Sequence, residues 1–158
     1  MRHFQTHHIG LSFITFLLCG CTPLNYRANK HFTEEKWIRK EPVFFNFTPH
    51  RTGSYQPTIW LRHSTNYLYR DFHCLLTVSQ GHLAISVDTL HLMTTNAKGN
   101  WIGQGLQGLK TLSCPLPHTI RLDSACHYQI TIQHLMEDDT LQAVRDAGIL
   151  LKPQTQNN

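Results

Sequence analysis

The sequence predicts a mostly β, antiparallel sandwich of about seven to eight short strands, immunoglobulin-like or jelly-roll-like, behind an N-terminal signal peptide. Three observations lead there. Several runs alternate apolar and polar residues with a period of two, and they are rich in β-branched and aromatic side chains. Turn-forming clusters such as Thr52-Gly53-Ser54, Gln80-Gly81, Lys98-Gly99-Asn100 and Asp123-Ser124 fall between the runs. No long segment carries a helical period.

The elements follow in chain order. Arg2 gives a positive start, and the apolar run Ile9–Leu18 is ten residues long. A membrane-spanning helix needs roughly 20, so residues 1–20 read as a cleaved secretory signal. Leu18-Cys19-Gly20-Cys21 resembles a bacterial lipobox: an aliphatic residue, two small ones, then the cysteine that takes the lipid. Small residues let the peptidase reach the bond before Cys21, whose thiol accepts a diacylglyceryl group. The freed amine takes a further chain such as palmitate, and two or three chains hold firmly at about 0.8 kcal/mol per buried CH₂.

Residues 21–36 read as the lipidated N-terminus and a polar tether, ending in a short edge strand near Tyr26–Phe32. The β domain is expected over residues 37–152. Val43, Phe45 and Phe47 share one face of a strand, and Thr58–Arg62 alternates. Phe72, Cys74, Leu76 and Val78 share a face, as do Leu83, Ile85 and Val87. The alternation shifts around Asp88-Thr89, which predicts a bulge or bend there. Leu109–Cys114 reads as a strand. In Ala125–Met136, Cys126, Tyr128, Ile130 and Ile132 point one way and His127, Gln129, Thr131 and Gln133 the other. Leu141–Ala147 reads as a turn or two of helix before a last strand, Gly148–Lys152, and residues 153–158 form a polar tail.

Composition excludes some functions. Lys and Arg number 14 against 10 acidic residues, with no basic stripe, which argues against nucleic acid as a partner. Of five cysteines, Cys19 leaves with the signal and Cys21 is lipidated. Cys74, Cys114 and Cys126 then permit one bridge and one thiol, or three buried thiols.

The chemical motifs are weak. Gly103-Gln-Gly105-Leu-Gln-Gly108 spells G-x-G-x-x-G, but a strand and two prolines, Pro115 and Pro117, follow where a dinucleotide site needs a helix. It reads as a glycine loop with positive φ, over which Trp101 and Leu106 pack down. No H-x-x-x-H, H-E-x-x-H or G-x-S-x-G occurs. His73 and Cys74 are adjacent, as are Cys126 and His127, so each pair faces opposite sides of its strand. A metal site assembled across strands stays open, but none is expected, nor any catalytic residue, cofactor or small-molecule substrate.

The second half resembles the gliding motility lipoprotein family GldH of the Bacteroidota. The matching stretches are Pro57–Arg62, Tyr67-Leu-Tyr69-Arg-Asp71, Asp88-Thr89-Leu90 and Gly99-Asn-Trp101-Ile-Gly103-Gln-Gly105. Tyr128–Met136 and Leu141-Gln-Ala-Val144-Arg-Asp146-Ala-Gly148-Ile-Leu150 complete them, in order, and Trp37 matches an upstream tryptophan. In the family an arginine follows the methionine matched by Met136; here Glu137-Asp138-Asp139 follows. The resemblance implies an extracytoplasmic, non-catalytic lipoprotein of the cell envelope; Thr22-Pro23-Leu24, with no acidic run after Cys21, favours an outer-membrane anchor facing the periplasm. Its implied partners are gliding or type IX secretion components.

Asp88-Thr89-Leu90, Asp123-Ser124-Ala125 and Asp139-Thr140-Leu141 are similar to Asp-Ser/Thr-apolar sites that Bacteroidota O-glycosylate, which makes Thr89, Ser124 and Thr140 candidate acceptors. Arg62, Tyr67, Tyr69 and Arg70 form a candidate interaction surface beside Trp60, since Tyr, Trp and Arg dominate binding hot spots. The competing expectation packs Trp60 and one tyrosine inside the sandwich. An alternative function is a carbohydrate-binding or other envelope-biogenesis lipoprotein. Its sugar-binding form requires Trp60, Tyr67, Tyr69 or Trp101 to line a shallow groove.

Overall fold

Apolar residues at every second position give each strand one face that must be covered, and this chain covers those faces by packing sheet on sheet. The computed structural model describes residues 25–154. The signal, Cys21 and the end of the polar tail lie outside the described residues. Eleven strands are present among them, all paired antiparallel. They are β1 (Tyr26–His31), β2 (Lys36–Ile38), β3 (Val43–Phe47), β4 (Gly53–Ser64), β5 (Asp71–Gln80) and β6 (Leu83–Met93). Then come β7 (Leu109–Pro115), β8 (Ile120–Leu122), β9 (Tyr128–His134), β10 (Thr140–Gln142) and β11 (Val144–Pro153).

One sheet runs β1-β11-β4-β7, with β8 also on β4; the other runs β3-β9-β5-β6; β10 and β2 form a separate pair. The core lies between the two large sheets. Ile59, Leu61, Ile149 and Leu151 of the first meet Phe72, Leu76, Ile130 and Ile132 of the second, all fully buried. Phe47 and Tyr55 join the sheets, with ring centroids 5.8 Å apart. Trp37 stacks on Phe32 at 4.9 Å and meets the edge of His134 at 5.3 Å. The sandwich is therefore all-β, as the periodicity predicts. The strand count exceeds the expectation because β2, β8 and β10 have three residues each, too few to display a period.

Two local expectations are corrected. Leu141–Ala147 is not helical: Leu141 pairs with Trp37 across β10 and β2, and Ala143 turns the chain with φ 63°. Pairing and burial of Leu141 override a weak helical pattern. The expected bulge at Asp88-Thr89 lies instead at the start of the β5–β6 hairpin. The register shifts between Val78 and Ser79, opposite Ala84–Ser86. Beyond it Ser86 and Asp88 face inward opposite Val78 and Leu76, while Leu83 and Val87 are exposed. Ser86 donates to Asp88 at 2.6 Å, so the edge strand carries an inward acid, a feature that discourages pairing with other chains. The edge strand read near Tyr26–Phe32 is β1, which pairs along β11.

Cys74, Cys114 and Cys126 are free thiols, and burial pushes the Cys74 thiol up to about 12. No helix among the described residues is long and apolar enough to cross a membrane.

Candidate functional site

The outer face of the first sheet carries a built polar cluster. In β4, Ile59 and Leu61 enter the core, so Trp60 and Arg62 point outward. Registration places Trp60 beside Gly148 and Arg62 beside Asp146 on β11, with His31 of β1 next to Asp146. The Asp146 carboxylate, 8% exposed, lies 3.0 Å from His31 Nδ1 and 3.6 Å from Arg62 Nη1. Asn29 donates to it at 3.5 Å. Arg62 also donates through Nε to Thr111 at 3.3 Å. The Trp60 ring lies under Arg27, whose guanidinium carbon is 5.1 Å from the ring centroid, and Arg62 is 6.0 Å away. Cations over an indole face are attracted by its quadrupole.

Glycine at 148 makes this possible, since a Cβ there would meet Trp60 and the carbonyl of Ala28 at 2.5 Å. Trp60 is thus buried without entering the core, and its indole N–H has no hydrogen-bond partner among the described residues.

The anticipated interaction surface is only partly assembled. Tyr67 is 3% exposed, donates to the Asp71 carbonyl at 3.1 Å and packs on His63 at 5.1 Å. Burial raises its hydroxyl pKa well above the usual phenol range. Its side chain therefore packs inside the fold, away from the expected surface. Tyr69 is half-buried and donates to Asp138; that hydrogen bond, with burial and nearby carboxylates, raises its pKa. Arg70 is exposed in the β4–β5 connection, and Arg62 belongs to the Asp146 cluster. Alternation around Trp60 could have found that cluster, but its partners on β1 and β11 lie far away in sequence.

Of the four aromatics named for sugar stacking, Tyr69 is half-buried and lines a cleft with Met136, Glu137 and Asp138. Trp60 and Tyr67 are buried, and Trp101 packs on His63 at 5.0 Å. The glycine loop folds back on β7, with Gln104 bridging Thr111. Gly103 and Gly108 have φ of 95° and 78°, and a Cβ on Gly103 would strike the Thr111 carbonyl at 2.5 Å. Leu106, expected to pack down, is 85% exposed. Thr89 and Ser124 are exposed, and Thr140 is half-buried in β10. Among groups able to hold a metal ion, Asp71, His73 and His91 bring one ligand atom each within 4.8 Å of one another.

A family model described as GldH lipoprotein matches residues 25–151. No curated protein is significantly similar to the chain. Among solved structures, the chain is similar to the Eiger TNF of S. frugiperda, at 11% identity and TM-score 0.43, over 85% of this chain and 96% of that one. It is also similar to dimeric latent PorU of Porphyromonas gingivalis, at 7% identity and TM-score 0.37, over 83% of this chain and 13% of that one.

Proposed function

Because the chain belongs to the GldH lipoprotein family, and so to the lipid-anchored proteins of the cell envelope, we propose that it is a non-catalytic part of the gliding motility machinery associated with type IX secretion. The observation that carries this reading is the family match over residues 25–151, nearly the whole described domain. Lipid on Cys21 would hold the domain at the outer membrane, facing the periplasm. Two-dimensional confinement raises local concentration, so a modest interface suffices.

The contact surface under this proposal is the outer face around Arg62, with Tyr69 and Arg70 as further contacts. Pro57–Arg62 on β4 and Val144–Leu150 on β11, within stretches that carry the family resemblance, lie on neighbouring strands there. Thr89 and Ser124 are the more accessible of the proposed glycan acceptors. Crosslinking and pull-down of the tagged lipoprotein from its native envelope tests the function. Recovery of secretion or motility components supports it; recovery of glycans alone, or of nothing, overturns it.

A further inference from the structure

Two histidines that no sequence motif connects meet on the outer face of the second sheet. The β5–β6 register sets His73 directly opposite His91. Their rings stack with centroids 4.1 Å apart and planes 15° apart. Asp71 lies two residues before His73, on the same face of β5. Its Oδ2 lies 3.1 Å from Nε2 of each histidine. We propose that Asp71, His73 and His91 bind a divalent transition-metal ion of the zinc class.

The donor set selects that class. Imidazole nitrogen with one carboxylate suits zinc, nickel and copper, whereas calcium and magnesium take oxygen ligands. Tetrahedral zinc with bonds of about 2.0–2.1 Å holds its ligand atoms about 3.3 Å apart. The 3.1 Å separations of Asp71 Oδ2 from each Nε2 match that spacing, and the stacked rings must rotate about their side-chain bonds for both in-plane lone pairs to converge on one ion. The three side chains are 36–49% exposed, so an ion can enter without the sandwich opening. Three protein ligands leave a fourth position for water or a partner's side chain.

The surroundings favour a cation. Asp71 and His73 line a cleft with Tyr69, Met136, Glu137 and Asp138, where the additional carboxylates attract positive charge. The backbone N–H of His73 lies 3.3 Å from Met136 Sδ, which helps fix that part of β5. A bound ion would staple the edge strand β6 to β5.

The test is calorimetric titration of zinc chloride into the full-length lipoprotein in detergent. The site predicts one equivalent bound, with affinity falling by about tenfold or more in both His73→Ala and His91→Ala. His82→Ala, in the hairpin turn, serves as the control and should bind like wild type. His91 is exposed on an edge strand, so His91→Ala remains decisive if His73→Ala folds poorly. Copper(II) loaded at one equivalent should show two coupled imidazole nitrogens by electron paramagnetic resonance in wild type, and fewer in His91→Ala. No binding at millimolar zinc, or binding that His91→Ala leaves unchanged, would overturn the assignment.

Discussion

Trp60 covers Gly148 so closely that a methyl group at residue 148 would approach the indole Cε2 to 2.5 Å. The Ala28 carbonyl oxygen, also 2.5 Å from that position, blocks the other escape. Adding a carbon to a filled site forces side chains or backbone to move and typically costs about 1–3 kcal/mol. Gly148→Ala is therefore expected to lower the thermal midpoint and to change tryptophan emission as the indole is displaced from beneath Arg27. A variant that melts with wild type would show that the indole is not seated on Gly148.

Asp146 is the acceptor at the centre of the same face, and its side chain is only 8% exposed while His31 is 60% exposed. Removing the carboxylate lets His31 and Arg62 return to water, so the loss is moderate. Asp146→Ala should cost about 1 kcal/mol in urea denaturation. A double-mutant cycle with His31→Ala should give a coupling above measurement error. Strict additivity of the two substitutions would disprove the pairing.

Two histidines predict how stability depends on pH. His63 and His134 are fully buried, with His134 against the Trp37 ring and His63 against Tyr67. Burial holds the pKa of both below the ordinary 6.5. In the unfolded chain they take up protons as pH falls through 6.5, while in the folded chain they resist. Stability is thus fully present above that value and declines below it, by at most about 1.4 kcal/mol per pH unit for each histidine. Thermal midpoints between neutral pH and mildly acid pH measure this. His134→Leu should flatten the decline, and an equal slope in that variant would remove His134 as its cause.

The alternating runs in β3, β5 and β9 made the sandwich legible, because a period of two survives in any strand with one buried face. Leu83, Ile85 and Val87 share an apolar parity that did not predict burial: the hairpin bulge and the sheet edge leave Leu83 and Val87 in solvent. Trp60 and Tyr67 show the same boundary at the candidate site. Both are aromatic residues near arginines, yet burial depends on Gly148 in one case and His63 in the other. Those neighbours are set by long-range registration and by a turn, and composition carries neither. The His73–His91 pair was invisible for a related reason: cross-strand opposition has no fixed sequence spacing.

Attachment and folding should separate cleanly at Cys21. The core draws on β1 through β11, whereas acyl chains each contribute about 0.8 kcal/mol per buried CH₂ to membrane binding. Cys21→Ala should therefore move the protein from the membrane fraction to the soluble fraction. Its circular dichroism and thermal midpoint should match those of the lipidated protein in detergent. Mass spectrometry of the wild-type mature chain should find the lipid on residue 21. A Cys21→Ala protein that still sediments firmly with membranes would place the anchor elsewhere, because the domain's long-range pairing gives no reason for its fold to depend on the lipid.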